Sequence, residues 1–193
     1  VLIPAICWST SLWPIIQSGL KPVFVDVDKD TFNISIKDLE SKISKKTKAL
    51  MLVHVLGNSV NMKKLLNVVR KRNLVLIEDT CESLGSKFGN KYLGSFGEFS
   101  TFSFFYSHQI TSVEGGMICC KSKEDYEILK ALRSHGFSRG LKNEKKLTKK
   151  YNKVDSRFLF INSGFNLRPT DIQAAIGLSQ FKSLDSFTKQ RSL

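Results

Sequence analysis

Three segments carry side chains whose types and spacing could do chemistry. The first is the apolar run Leu74-Val75-Leu76-Ile77, which ends in Glu78-Asp79 and passes directly into Thr80-Cys81-Glu82-Ser83. A carboxylate delivered this way can hold a protonated heterocycle nitrogen, bind a metal, or cap the helix that follows. The second is the aromatic stretch Phe102-Ser103-Phe104-Phe105-Tyr106-Ser107-His108-Gln109-Ile110, followed by Val113-Glu114-Gly115-Gly116. Hydroxyls and backbone amides gathered after a strand suit a phosphate. An imidazole can give or take a proton near neutral pH. A lone loop histidine is commonly structural, but Ser103, Ser107 and Glu114 in the same short segment favour a functional His108. The third is Gly164-Phe165-Asn166-Leu167-Arg168-Pro169-Thr170-Asp171. There Asn166 and Arg168 can face an anion, or the segment can simply be a turn and a helix start.

Short apolar runs alternate with amphipathic segments, the pattern of an α/β protein built on a mostly parallel sheet. Strands are expected at 1–4, 22–26, 49–54, 74–78, 98–104 and 116–120, and helices at 10–18, 36–44, 61–71, 123–135 and 170–187. Met62, Leu65, Leu66 and Val69 recur at helical spacing, so one face of that helix should be buried. Pro169-Thr170-Asp171 should open the last helix with a proline and a capping hydroxyl. Residues 136–164 turn polar without a clear period and read as a long loop. In open α/β sheets ligands bind outside the carboxyl ends of the strands, where the first two segments would lie. His54 also falls at a strand end, but in His54-Val55-Leu56-Gly57 it reads as a loop anchor, and His135 reads as a complement to a helix C-terminus.

The chain has 193 residues, 41% of them hydrophobic and 24% charged, a balance that excludes collagen-like and wholly disordered classes. No apolar run reaches the roughly 18–20 residues of a membrane span. Thirty Lys and Arg against 17 Asp and Glu give a net charge of +13, which raises the question of nucleic acid. The lysines are scattered as single residues, densest in the polar stretch 139–157. They form neither an aromatic-interleaved stripe nor a recognition-helix spacing, so nucleic acid is not the expected partner. The four cysteines show no CxxC pair and read as reduced thiols of a cytoplasmic protein. The apolar opening and the helical close at Leu193 predict an internal piece of a longer protein.

These segments, together with VLIPAICWST, KPVFVDVDKDTFNI, TKALMLVHVLGN and LRSHGF, resemble the sugar-nucleotide branch of the fold-type I pyridoxal-phosphate enzymes, the DegT/DnrJ/EryC1/StrS aminotransferase family. The resemblance runs over nearly the whole chain. It implies a three-layer α/β/α fold of the aspartate aminotransferase large-domain type, incomplete, with 1–193 as its central part. The start of the cofactor's phosphate cradle and the C-terminal small domain would lie outside, so the piece alone is expected to be inactive.

Carried over by position, the resemblance implies that Trp8 stacks on the ring of pyridoxal 5′-phosphate or pyridoxamine 5′-phosphate and that Asp79 pairs with its ring nitrogen. Glu82 would lie beside the ring hydroxyl, where the family commonly has Gln. Ser103 would bind the phosphate, and Asn166 would reach the cofactor of a neighbouring subunit in a homodimer. His108 stands where ordinary members carry the lysine that bonds covalently to the cofactor, a bond imidazole cannot sustain. The combination of His108 with Glu82 resembles the histidine-bearing subgroup, the 3-dehydratases of nucleotide-linked 4-keto-6-deoxy sugars in surface-polysaccharide synthesis. In that subgroup the histidine is the base, glutamate restores the amine form of the cofactor, and ammonia is lost. Cys119 and Cys120 are adjacent on an expected strand and point to opposite faces, which favours the branch without an iron–sulfur cluster or other metal. The alternatives are a true sugar aminotransferase and a non-catalytic relative that binds cofactor.

Overall fold

The computed structural model describes residues 1–191, so the last two positions of the expected 1–193 domain lie outside the described residues. The strands in chain order are β1 (Leu2–Pro4), β2 (Val23–Val25), β3 (Ala49–Val53), β4 (Val75–Asp79), β5 (Lys87–Phe88), β6 (Lys91–Tyr92), β7 (Phe99–Ser103) and β8 (Gly116–Cys120). Six of them form one sheet in the order β2-β1-β3-β4-β7-β8. β1 pairs in parallel with β2 and β3, β3 with β4, and β4 with β7. Each crossover among the first four strands contains one α-helix: α1 (Ser9–Gln17), α2 (Ile36–Lys42) and α3 (Met62–Lys71), the last preceded by a 3-10 turn over Val55–Gly57. These are the connections a parallel sheet requires.

The reasons these segments form helices are local. Ser35 caps α2 by accepting the Asp38 N–H at 3.3 Å, and Asn61 caps α3 by accepting that of Lys64 at 3.1 Å. On α3 the residues Met62, Leu65 and Val69 are buried as expected; Val68 joins them, and Leu66 is only half-buried at the margin. They pack with Leu39 of α2 and with Leu2, Leu50, Leu52 and Leu76 of the sheet into one apolar cluster. That cluster fixes the heights of β3 and β4, and so places the residues at their carboxyl ends.

Between β4 and β7, β5 and β6 form a small hairpin that turns at Gly89. Its two-residue strands are too short and too mixed to show a period of two.

The chain divides into two compact units, Val1–Cys119 with the chain from Ile172, and Cys120–Asp171. The second holds α4 (Lys123–Leu132), capped by Ser122, and α5 (Glu144–Lys150). α4 stops short of the expected 135, because His135 and Gly136 take positive φ of 60° and 83°. His135 is therefore not in the last helical turn, and its ring lies 3.3 Å from the Arg168 guanidinium instead. The expected loop 136–164 contains a helix after all. α5 buries no residue, so no apolar period marks it; Glu144 at its start accepts the Gly140 N–H, and Lys149 and Lys150 lie at its end.

The long final helix expected over 170–187 is two helices, α6 (Asp171–Phe181) and α7 (Leu184–Arg191). No helix of the described residues is long and apolar enough to cross a membrane.

Candidate active site

The first unit brings most of the singled-out side chains to one end of the sheet. Asp79 is the last residue of β4 and lies opposite Val53 of β3 and Thr101 of β7. Its Oδ2 accepts the Ser11 hydroxyl at 2.6 Å and its Oδ1 accepts the Cys81 N–H at 3.1 Å. Among the described residues Asp79 makes no ion pair. Neighbouring thiols respond to its charge: burial and then Asp79 push Cys7 up, and burial together with Asp79 pushes Cys81 up to about 12. Both thiols stay neutral near pH 7, so the carboxylate is surrounded by neutral donors.

Trp8 immediately precedes α1, and its side chain is 74% exposed. Its carbonyl accepts the Ser11 N–H at 3.0 Å. Ser11 thus joins the exposed indole's backbone to the Asp79 carboxylate.

Glu82 is held in two ways. Its Oε2 accepts the Leu56 N–H at 2.7 Å, and its backbone carbonyl accepts the Gln109 side-chain amide. Leu56 adopts a φ of 52°, a conformation costly for a residue with a Cβ, and it is 78% exposed. His108 closes the turn after β7 by donating its N–H to the Phe105 carbonyl at 3.1 Å, and its ring meets Phe105 edge-on at 6.2 Å. Glu82, His108, Leu56, Gln109 and Arg191 line one open pocket of about 360 Å3. Ser103 ends β7, and its hydroxyl accepts the Phe105 N–H at 3.2 Å.

Asn166 belongs to the second unit. It forms an antiparallel bridge with Ser134, and its Oδ1 lies 3.5 Å from the Arg168 guanidinium. The Gly115-Gly116 pair permits close approach as expected, of the Ser112 side chain to Gly115 and of the Phe102 carbonyl to Gly116.

The other half of the acidic pair does something different. Glu78 is wholly buried and receives His54 Nε2 at 2.9 Å and the N–H groups of Gly94, Phe96 and Gly97 at 2.9, 2.7 and 2.6 Å. His54 is the anchor its sequence context suggested. Successive strand residues point to opposite faces, so Glu78 secures the 94–97 loop while Asp79 stays half-buried at the site.

Ser11, Cys81 and Gln109 escaped the sequence reading. A serine in a first helical turn looks like any capping residue, and only the fold brings it to a carboxylate 68 positions away.

The thiols give a direct check. In the native protein at pH 8, iodoacetamide is expected to label exposed Cys119 and leave Cys81 intact, with Cys81 reacting only after denaturation. Asp79→Asn should speed Cys81 labelling, because it removes the charge that helps hold the thiol protonated. Labelling by site, followed by peptide mass spectrometry, distinguishes the two proteins.

A mostly parallel sheet thus carries, toward the carboxyl ends of its strands, a half-buried carboxylate without an ion-pair partner among the described residues, an exposed indole and an imidazole, groups that can receive a cationic aromatic ligand. The chain belongs to the DegT/DnrJ/EryC1/StrS aminotransferase family, whose profile matches residues 1–193. It is 40% identical to GDP-4-keto-6-deoxy-D-mannose 3-dehydratase of Escherichia coli O55:H7, over 99% of this chain and 50% of that protein. It is 36% identical to GDP-perosamine synthase of Escherichia coli O157:H7, over 99% of this chain and 48% of that one. Among solved structures, GDP-4-keto-6-deoxymannose-3-dehydratase with a trapped PLP-glutamate geminal diamine superimposes with a TM-score of 0.88 at 40% identity. That match covers 95% of this chain and 48% of the solved one. The chain spans about half the length of the curated relatives it matches.

Proposed function

We propose that the full-length protein is a 3-dehydratase of a nucleotide-linked 4-keto-6-deoxy sugar, using pyridoxal or pyridoxamine 5′-phosphate and glutamate, in surface-polysaccharide synthesis. The observation that carries this reading is His108. It shares one pocket with Glu82, three residues beyond Asp79, and the sequence resemblance puts it where the family's lysine would stand.

The donor set fits the cofactor. Asp79 is a carboxylate among neutral donors with no ion-pair partner among the described residues, which suits a protonated ring nitrogen. Trp8 offers an aromatic face, and Ser103 offers a hydroxyl for the phosphate. Bound there, the cofactor supplies an electron sink for negative charge developing beside its ring.

The chain's own residues then divide the remaining work. Asp79 keeps the ring nitrogen protonated, and the Leu56 N–H holds one oxygen of Glu82, leaving the other as an acceptor in the pocket. His108 moves a proton between the reacting carbon and the departing hydroxyl, which needs no covalent bond to the protein. Asn166 serves the neighbouring subunit of a homodimer, and the enzyme works in the cytoplasm. The similarity to GDP-linked dehydratases favours a GDP sugar.

Supplied with pyridoxamine phosphate, glutamate and GDP-4-keto-6-deoxymannose, the full-length protein should release ammonia and form a product lacking one oxygen. A product that gains an amino group without ammonia would make the protein an aminotransferase, like the perosamine synthases it resembles.

A further inference from the structure

We propose that Ser11 is a positioning residue for Asp79: its buried hydroxyl aims the carboxylate at a cationic ring nitrogen. The proposal rests on the reading of Asp79 given above.

Ser11 is 5% exposed, in the first turn of α1, and its Oγ lies 2.6 Å from Asp79 Oδ2. An ionised carboxylate only accepts, so the hydroxyl proton lies between the two oxygens. The distance is that of a charge-assisted O–H···O⁻ bond. Cys81 N–H holds the other oxygen at 3.1 Å, so one donor on each oxygen fixes the rotation of the carboxylate plane.

The kind of donor matters as much as its place. A lysine or arginine here would orient Asp79 equally well but would neutralise it. A hydroxyl orients the carboxylate without a countercharge and leaves it for a ligand. The thiols of Cys7 and Cys81, held neutral, place no second negative charge beside it. Ser11 also donates its own N–H to the Trp8 carbonyl at 3.0 Å. One small residue therefore sets the relation between the aromatic face and the carboxylate.

The test is a double-mutant cycle read as the Kd of pyridoxamine phosphate, measured by calorimetry on the full-length protein. Ser11→Ala should weaken binding about tenfold or more, the usual cost of losing a hydrogen bond to a charged group. Ser11→Thr, which restores the hydroxyl, should recover most of that loss. In an Asp79→Asn background, Ser11→Ala should cost almost nothing further, because the charge it serves is gone.

If Ser11→Ala leaves Kd unchanged, or costs as much in the Asp79→Asn background as in the parent, Ser11 is a packing residue and the proposal is wrong. In both cases an Asp79→Asn loss leaves the reading of Asp79 standing. An Asp79→Asn protein that binds as tightly as its parent overturns that reading and this proposal together.

Discussion

Substituting His108 by asparagine in the full-length protein is expected to cut deoxygenation by about 10²–10⁴-fold, the usual contribution of a positioned proton-transfer group. Asparagine preserves a planar polar side chain of similar reach but has no basic nitrogen. The local fold should survive, because the turn is closed by backbone, His108 N–H to Phe105 carbonyl at 3.1 Å. His108 is half-buried in an open pocket and makes one edge contact with Phe105, so little packing is lost. The readout is single-turnover formation of the deoxygenated sugar, with cofactor affinity measured in parallel. A Kd within about threefold of the parent, alongside the rate loss, would place the effect in the chemical step. A variant that keeps a third or more of the parental rate would remove His108 from the proton-moving role.

The sheet was legible in the sequence because most of its strands are short apolar runs set between amphipathic segments. All six fall within one or two residues of expectation, and β8 coincides with the expected 116–120. The polar helix α5 and the hairpin of β5 and β6 were not legible, since neither buries a periodic face. The final helix broke between Phe181 and Leu184, where no glycine or proline marks an end. At the site, the motif around Asp79 and His108 was readable, but its supports were not. A period of two says that Glu78 and Asp79 diverge. It does not say which of them is sequestered, because that depends on the 94–97 loop, which supplies three of the four donors around Glu78.

That arrangement makes Glu78 the expected weak point for stability. Glu78→Ala should destabilise the full-length protein by roughly 3–5 kcal/mol, the range seen when one partner of a buried charged network is removed. The loss strands the N–H groups of Gly94, Phe96 and Gly97 and the Nε2 of His54, whose Nδ1 already has no partner among the described residues. It is a large share of the roughly 5–15 kcal/mol that keeps an ordinary domain folded.

Glu78→Gln should fall between the two. Its oxygen can still accept from Phe96 and Gly97, but its amide nitrogen then opposes the Gly94 N–H. The pH dependence has a defined sign. Burial pushes the Glu78 carboxyl up, but the His54 bond and the Gly97 and Gly94 amides outweigh it, so the group titrates below the ordinary glutamate value. Its contribution is therefore present above the unfolded glutamate value of about 4.3 and is lost as pH falls through the lower folded value. Urea unfolding midpoints of parent and Glu78→Ala should differ widely at pH 7 and converge only below about pH 4. Equal midpoints at pH 7 would mean that the 94–97 loop is held by something other than this carboxylate.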